Sequence, residues 1–365
     1  MLSNLHTSAF ARTGRAMLMA GAALALTMTG ANAETLRWAR VADALTLDPH
    51  SQNEGPTSTL LHHIYETLVG RATDASLQPC LATEWMISAE DPTVWVFKLR
   101  EGVKFHDGAD FTAEDVVFSL DRARAESSGF KALHSAVESV SMVDEYTVHV
   151  KMAGPSPLYV QNLTNTFIMD KGWAEANDVV LPQNFAAGEE NFAVRNTNGT
   201  GPYTLVSRDP EVRTVMAAFD GHWDAAPAVT EIIYTPIAEA ATRVAALLSG
   251  EVDVVQDVPV QDIARLQQTD GIKIATGPEN RNIFFSYDMT SDKLISANVD
   301  DNPFKKPEVR EALSLVIDRD AIQQVVMRGQ SQPSAAPLPP FVNGWTAEMN
   351  AYGKPDYERA AALVA

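Results

Sequence analysis

The sequence of 365 residues has one cysteine, few basic residues and no apolar run long enough to cross a bilayer. Because Cys80 has no second cysteine to pair with, an internal disulfide is impossible and stability must come from the core. Lys and Arg number 28 against 47 Asp and Glu, which gives a formal charge of −19. Nucleic acids and anionic lipids require clustered basic side chains. We therefore expect no nucleic-acid partner.

The sequence also lacks the common catalytic and cofactor motifs. It contains no G-x-S-x-G, no H-E-x-x-H, no paired C-x-x-C and no dinucleotide-binding glycine fingerprint. The turn NGTGPY, residues 198–203, lacks the Gly-Lys-Ser/Thr ending of a phosphate-binding loop. His62 and His63 are adjacent on a predicted helix, where they point about 100° apart and cannot chelate one metal together. These absences predict a protein without a cofactor or metal and lower the case for an enzyme.

The first 33 residues differ from the rest of the chain. Arg12 and Arg15 are the only ionised side chains before Glu34, residues 16–27 are apolar, and the small-residue triplet ANA precedes Glu34. This combination is typical of a secretory signal peptide. The alternative is a membrane anchor, but the apolar run is shorter than the roughly 20 residues that span a bilayer. We expect an exported protein that begins at Glu34.

Hydrophobic periodicity predicts a chain in which strands and helices interleave, and thus a mixed α/β fold. VWVFKL at 94–99 alternates as a strand does, and the residues at 283–287 are expected to form another. Helices are predicted over residues 307–317 and 319–328, bounded by Pro307 and by a glycine after residue 328. A further helix is predicted over TSTLLHHIYETLV, whose apolar face comprises Leu60, Leu61, Ile64, Tyr65 and Leu68.

The segment FHDGADFTAEDV poses the clearest choice between chemistry and architecture. His106 stands next to Asp107, and a histidine among carboxylates is what a secreted hydrolase would use. However, Asp-Gly is a turn dipeptide, and Thr112 followed three residues later by Asp115 is a variant of the helix capping box. We interpret the segment as a strand, a turn and a capped helix, with a hydrolase as the alternative.

Several stretches together resemble the family five extracellular solute-binding proteins, the dipeptide and oligopeptide receptors of ABC importers. The longest runs from residue 81 to 123, LATEWMISAEDPTVWVFKLREGVKFHDGADFTAEDVVFSLDRA. The others, in chain order, are LDPHSQNEGPTSTLLHHIYETLV, NGTGPYTLVS, ALLSGEVDVVQDVP and NPFKKPEVREALSLVIDRDAI. The resemblance thus covers nearly the whole chain after residue 33.

The resemblance implies an α/β fold of the two-lobed periplasmic-binding-protein type, with mixed sheets and the ligand between the lobes. It divides the chain into a signal peptide at 1–33, a first lobe at 34–277 and a remainder at 278–365. That remainder would hold the hinge crossing, near 278–282, and the start of the second lobe. Since family members usually continue well past Ala365, we expect a second lobe that is incomplete and a chain that is C-terminally truncated.

Two polar segments are the candidate ligand-binding residues. Gln52, Asn53 and Glu54 follow a strand end, and the Glu54 carboxylate suits the ammonium of a peptide. Arg281, Asn282 and Phe284 belong to the predicted strand on the hinge side, where the Arg281 guanidinium suits a carboxylate. The alternative is a solvated loop and a packed strand. We predict no catalytic residue and no metal ligand.

The resemblance also implies the function and the partners. It predicts a periplasmic, monomeric substrate-binding component that binds di- or oligopeptides and delivers them to an ABC permease in the inner membrane. Relatives of the same fold bind nickel, haem, glutathione, opines or sugars, and the visible sequence does not separate these ligands. A receptor returns its ligand chemically unchanged, whereas the hydrolase alternative would release new amines.

Overall fold

The computed structural model describes residues 34–277, 281–295, 297–340, 342 and 344–365. The predicted signal peptide and residues 278–280 of the predicted hinge crossing lie outside the described residues. In the described part of the chain, no helix combines the length and apolar character needed to cross a membrane. The division into lobes at residue 277 stays a prediction.

The described residues form an α/β fold. The strands are β1 Thr35–Arg40, β2 Val69–Arg71, β3 Leu77–Pro79, β4 Ala82–Ile87, β5 Val94–Leu99, β6 Val137–Asp144, β7 Thr147–Met152, β8 Tyr203–Asp209, β9 Arg213–Ala218, β10 Glu231–Pro236 and β11 Val254–Val255. The α-helices are α1 Gly55–Leu61, α2 Ala113–Ala123, α3 Tyr159–Asn162, α4 Lys171–Ala176, α5 Ala240–Ser249, α6 Ile263–Gln267, α7 Pro307–Leu315, α8 Arg319–Ala321 and α9 Tyr357–Val364.

The largest sheet is mixed and has the strand order β11-β1-β10-β9-β8. Strand β1 is parallel to both β10 and β11, while β10, β9 and β8 pair in antiparallel fashion. Trp38 of β1 lies opposite Tyr234 of β10, and their rings meet edge to face at 4.8 Å. Because parallel strands end at the same side, the sheet presents the carboxyl ends of β1, β10 and β11 along one edge.

A second, antiparallel sheet has the order β4-β5-β7-β6, and β2 pairs with β3 in a separate hairpin. Strand β5 has the predicted bounds, and alternate residues of its VWVFKL sequence are buried. Helix α2 covers this sheet with its buried Val116 and Leu120. Thr112 and Asp115 form the predicted capping box, in which each side chain binds the backbone of the other.

The helix predicted over TSTLLHHIYETLV is shorter than expected. Helix α1 begins at Gly55, is capped by the Glu54 side chain and ends at Leu61. Ile64, Tyr65 and Leu68 are nevertheless fully buried. The apolar spacing therefore predicted which side chains face the core, but the chain after Leu61 reaches that core in a turn rather than a helix.

The strand predicted at 283–287 is wrong. Those residues are irregular, and Ile283, Phe284 and Phe285 are 89%, 74% and 75% exposed. A strand requires a hydrogen-bonded neighbour, and the described residues after 281 supply none. Helix α7 ends at Leu315, two residues before the prediction, and the predicted helix 319–328 divides into α8 and a π-helical turn, Ile322–Val326.

Candidate functional site

The candidate site is the sheet edge where β1, β10 and β11 end. In open α/β sheets, ligands bind in the crevice outside the carboxyl ends of the strands. At the end of β1, the buried Arg40 joins two neighbouring elements. Its Nε donates to Asp257 Oδ2 at 3.1 Å, and its Nη1 donates to Thr59 Oγ1 at 2.8 Å. Arg40 therefore fixes the loop after β11 and helix α1 relative to β1.

A second buried arginine fixes the loops that follow β10 and β11. Arg243 Nη1 donates to the backbone oxygens of Ile237 and Ala238 at 2.7 and 2.9 Å, and its Nη2 donates to the Asp257 oxygen at 3.0 Å. Since these bonds are charge-assisted, they hold the loops more firmly than neutral hydrogen bonds do. The three strand ends thus form one rigid edge, which is the property that a binding surface requires.

The polar loop that leaves β1 is mostly buried from Asp43 to Ser51. Asp48 and Arg122 form a two-pronged ion pair, with Nη1–Oδ1 at 2.6 Å and Nη2–Oδ2 at 2.7 Å, and both side chains are fully buried. The Gln183 backbone N–H also donates to Asp48, at 2.8 Å. Burial opposes ionisation of Asp48, but Arg122 and the backbone donors outweigh it and lower the pKa of the carboxyl. Asp48 is therefore a structural anion.

His50 completes this network as a neutral ring. Arg122 Nη1 donates to His50 Nδ1 at 3.1 Å, so the other nitrogen, Nε2, carries the hydrogen that it donates to the Phe167 oxygen at 2.8 Å. Complete burial, reinforced by the Arg122 charge, lowers the pKa of His50 to about 3. The LDPH stretch therefore supports the loop from inside, and only the remaining surface of the loop is accessible to a ligand.

That surface includes the three residues predicted from the first polar segment. Gln52 Nε2 donates to the Ser51 oxygen at 2.8 Å, and Asn53 Oδ1 accepts from Asn165 at 3.0 Å. Glu54 Oε1 accepts from the Thr57 N–H at 2.8 Å and so caps α1. A carboxylate has about four acceptor positions, and capping therefore leaves Glu54 able to accept further hydrogen bonds. Its role in ligand binding stays a prediction.

The second predicted set lies in the irregular segment after the hinge crossing. Asn282 is half-buried and donates to the Ala336 oxygen at 2.9 Å, while Arg281 and Phe284 are exposed. Gln52, Asn53 and Glu54 have partners in the part of the chain before residue 170, whereas Asn282 has its partner near residue 336. The role of this set also stays a prediction.

His106 has an architectural place in the structure. Its Nδ1 accepts from the Gly199 N–H at 3.4 Å, and its Nε2 donates to the Gly201 oxygen at 2.9 Å. The ring also packs edge to face on Phe219, and burial lowers its pKa. Both ring nitrogens are thus engaged by backbone, and Asp115 serves as a helix cap. This arrangement favours architecture over the hydrolase alternative, which would need a ring nitrogen available for proton transfer.

The glycines that hold His106 are themselves required by close packing. A Cβ added to Gly199 would lie 2.0 Å from the Ile64 backbone oxygen, and one added to Gly201 would lie 2.7 Å from the Ile64 carbonyl carbon. The Gly201 N–H also donates to the Ile64 oxygen at 2.9 Å. The NGTGPY turn and the FHDG turn therefore form one junction between the two main sheets.

Glu66 is a polar centre that the sequence analysis missed, because it was placed on a helix that ends five residues earlier. Its Oε2 accepts from Thr200 and from Trp223 Nε1, both at 2.8 Å. Its Oε1 accepts from His222 Nε2 at 3.3 Å and from the Cys80 thiol at 3.8 Å. Burial raises the pKa of Cys80 to about 12, in agreement with a packed rather than a reactive cysteine.

No group of three or more His, Cys, Asp or Glu side chains among the described residues is placed to hold a metal ion.

Comparison with known proteins gives a family match over most of the chain. The model of the family described as "Bacterial extracellular solute-binding proteins, family 5 Middle" matches residues 76–365. A curated relative, the glutathione-binding protein GsiB of Pectobacterium atrosepticum, is 30% identical over 297 residues, which are 80% of this chain and 54% of that protein. The chain spans about half the length of the curated relatives it matches.

Solved structures share the fold. The periplasmic binding protein DppA of Helicobacter pylori, in complex with the peptide STSA, superposes with a TM-score of 0.74 at 24% identity. That match covers 90% of this chain and 65% of DppA. AgaA from A. tumefaciens R10, in complex with agropinic acid, superposes with a TM-score of 0.72 at 26% identity, covering 90% of this chain and 63% of AgaA. The predicted α/β fold with mixed sheets is thereby confirmed.

Proposed function

Because this chain belongs to family 5 of the bacterial extracellular solute-binding proteins, we propose that it is the substrate-binding component of an ABC transporter and binds peptides in the periplasm. The observation that carries this proposal is the family match, which extends from just before β3 to the end of α9. In the proposed role the protein is not an enzyme: it holds the solute and delivers it to a permease in the inner membrane.

The rigid sheet edge supports the proposal physically. A receptor for peptides needs a fixed surface with a carboxylate for the α-amino group and a guanidinium for the carboxylate. Arg40 and Arg243 supply the fixed surface by bonding the three strand ends together. In our proposal, Glu54 binds the ammonium and Arg281 binds the carboxylate, each with a charge-assisted hydrogen bond.

Glutathione is the second candidate ligand, and it is favoured by the name of the GsiB relatives, which are 28–30% identical to this chain. Glutathione is a tripeptide with one ammonium and two carboxylates, so the same two residues serve in both cases. Opines are a further candidate because AgaA binds agropinic acid. Peptides rank first because they are the ligands in DppA and in the AppA structure of Bacillus subtilis, whose ligand is a nonapeptide.

Calorimetric titration of the purified protein with a dipeptide mixture, glutathione and an opine tests the proposal. We expect saturable binding of a peptide, which mass spectrometry then recovers chemically unchanged. Glu54→Gln keeps an acceptor for the α1 cap and removes the charge, and it should weaken binding by about 10-fold or more, since a hydrogen bond to a charged group contributes about 1.5–3 kcal/mol.

The matched control is Asp356→Asn, which removes the charge of a helix cap outside the predicted site. Its affinity should equal that of the unmodified protein. Equal weakening by both variants would assign the effect to overall charge and reject Glu54 as a ligand residue. Failure of every peptide and of glutathione to bind, or the appearance of hydrolysed products, would reject the proposed function itself.

A further inference from the structure

A cavity away from the sheet edge has the features of a second binding site. It has a volume of about 460 Å³ and lies against the β2–β3 hairpin, within the range of about 300–1,000 Å³ that ligand pockets occupy. Its lining comprises His62, Tyr65, Glu66, Thr67, Gly70, Arg71, Gln78, Cys80, Thr164, Pro202 and His222. Gly70 is in the middle of β2, where a Cβ would already lie 3.3 Å from the Gln78 side chain.

The hydrogen-bond pattern around Glu66 determines the state of His222. Thr200, Trp223, the Cys80 thiol and His222 together direct four donors at the two carboxyl oxygens. An ionised carboxylate has about four acceptor positions, and four donors fill them. Glu66 is therefore an ionised acceptor, and His222 Nε2 must carry the hydrogen that points to it. Nε2 is thereby committed to Glu66, and the other ring nitrogen, Nδ1, is the one that is left to bind a partner.

His222 Nδ1 has no hydrogen-bond partner within the protein. The side chain is 8% exposed, lines the cavity, and is held in place by Glu66 and by the neighbouring Trp223 ring, 5.4 Å away. Buried polar atoms in native proteins are nearly always hydrogen-bonded. An oriented, buried ring nitrogen beside a cavity of this size is thus an observation that points to a missing hydrogen-bond partner.

The other lining groups indicate what kind of molecule supplies that partner. The hydroxyl hydrogen of Thr67 is directed at the Val69 backbone oxygen, which leaves the Thr67 oxygen to act as an acceptor. The Thr164 hydroxyl donates to the Gln161 oxygen and accepts from Arg71. The formal charge of Glu66 is balanced by Arg71, whose guanidinium bonds to Thr164, Ala75 and Gln161. The Tyr65 hydroxyl, which also lines the cavity, has no hydrogen-bond partner either. The lining therefore offers both donors and acceptors, and its Glu66 and Arg71 charges balance.

We propose that this cavity binds a small uncharged polyhydroxylated molecule, a polyol or monosaccharide, one of whose hydroxyls forms a hydrogen bond with His222 Nδ1. Hydroxyl groups both donate and accept, which suits a lining with both kinds of group, and an uncharged molecule suits a lining whose charges balance. The inference does not rest on the peptide proposal, because none of the residues that line the cavity belongs to the predicted peptide site.

Titration calorimetry with glycerol, xylitol and glucose tests the proposal, with and without a saturating dipeptide. At least one of the three should bind saturably, with a Kd of about 1 mM or tighter, whether or not the dipeptide is present. Long-range ¹H–¹⁵N spectra of the imidazoles provide a second readout, in which the Nδ1 resonance of His222 shifts as the probe binds.

Two variants with controls make the test specific. His222→Gln keeps a donor toward Glu66 and removes the ring nitrogen at the Nδ1 position, and it should weaken polyol binding about 5- to 10-fold, the effect of one lost hydrogen bond. Gln78→Trp fills the mouth of the cavity from an exposed position and should abolish binding, while Gln267→Trp, an exposed glutamine on α6, should not. Because both tryptophan variants change exposed residues, they are expected to fold normally.

The outcomes distinguish the cavity proposal from the peptide-binding proposal. Polyol binding that is lost in Gln78→Trp and kept in Gln267→Trp supports the cavity site, whatever happens with peptides. Absence of saturable binding by all three probes, an unchanged affinity in His222→Gln, or a crystal structure in concentrated glycerol that shows only ordered water at His222 overturns it. Peptide binding then stands or falls on the Glu54 experiment alone.

Discussion

Residues 34–277 and the described residues from 281 to 365 are built differently, although both have apolar side chains at helical or strand-like spacing. The first part contains all the strands and apolar clusters of the described chain. In the second part only Asn302, Ala312, Pro339 and Ala360 are buried. Apolar sequence alone therefore does not make a core; a core also requires a second layer against which the apolar faces pack.

The same contrast holds for charged groups. In the first part, Asp48 and Arg122 are fully buried and bonded to backbone and to His50. In the second part, Arg359 and Glu311 connect α9 to α7, but their side chains are 59% and 45% exposed. A buried charged side chain depends on its ion-pair partner for stability much more than a solvent-exposed one does, because water does not stabilise the buried charge.

Hydrogen exchange should show the largest difference between the two parts. Amides of β5, β7 and β10 should exchange only with global unfolding, whereas amides of α7 and α9 should exchange orders of magnitude faster through local opening, since few buried contacts hold them. Mass spectrometry of peptic fragments measures both in one sample. Similar protection in α7 and β5 would contradict the comparison. Limited proteolysis of the native protein gives a second check, and a first cut before residue 277 would also contradict it.

Replacing one arginine in each part by leucine tests the contrast between the buried and the exposed ion pair. Arg122→Leu leaves the Asp48 charge buried without its partner and should lower the free energy of unfolding by about 3–5 kcal/mol. Arg359→Leu breaks the exposed pair and should cost about 0–1 kcal/mol. Urea denaturation gives both values. A loss below about 1 kcal/mol in Arg122→Leu would show that water reaches Asp48.

Between pH 7 and pH 5, the pH dependence of stability should come mainly from the first part, since residues 281–365 contain no histidine. Folded His50 stays neutral down to about pH 3, whereas in the unfolded chain it binds a proton near its ordinary pKa of 6.5. Protons thus favour unfolding between these values. The contribution of His50 to the free energy of unfolding is fully present above pH 6.5. Below that pH it falls by about 1.4 kcal/mol for each pH unit.

Denaturation at pH 7, 6 and 5 measures this slope. His134, whose pKa is lowered to about 4 by burial, adds to it in the same direction. In His50→Gln, which keeps a donor toward the Phe167 oxygen, the slope should be smaller by the contribution of one histidine. An identical slope in the variant and the unmodified protein would mean that His50 is protonated in the folded state.

A smaller effect is expected from adding one methyl group in each part. Gly199→Ala places a Cβ against the Ile64 oxygen and should cost about 1–3 kcal/mol, the usual range for overpacking. Gly353→Ala meets no atom within 4 Å and should change stability by less than about 0.5 kcal/mol. Thermal denaturation compares the two. Equal stability of the two variants would mean that the Gly199 turn can move away from Ile64 to accept the added methyl group.

Local features of the fold could be predicted from the sequence, and distant ones could not. Strand β5 and the Thr112 cap were predicted correctly because alternation and capping depend on neighbouring residues. The partner of Asp48 lies 74 residues away, on α2, and nothing in the LDPH stretch points to it. The strand at 283–287 was predicted wrongly because its apolar spacing does not reveal whether a neighbouring strand exists.

The candidate site shows the same limit. Gln52, Asn53 and Glu54 were predicted from their position after a strand, and they do lie on a loop at the sheet edge, although their binding role is untested. Glu66 could not be found, because a glutamate in an apparently helical sequence reads as a surface residue. Only the end of α1 at Leu61 turns it inward, where Thr200 and His222 meet it.

The buried network of Asp48, His50 and Arg122 divides the loop after β1 into positions that cannot be substituted without loss of structure and positions that can. A designer who wishes to give this scaffold a new ligand should randomise the exposed Val41 and Leu45 together with positions 52–54. The same library would fail if it included positions 48 and 50. The buried residues of this loop thus hold its conformation, whereas the exposed residues around them can change without disturbing that network.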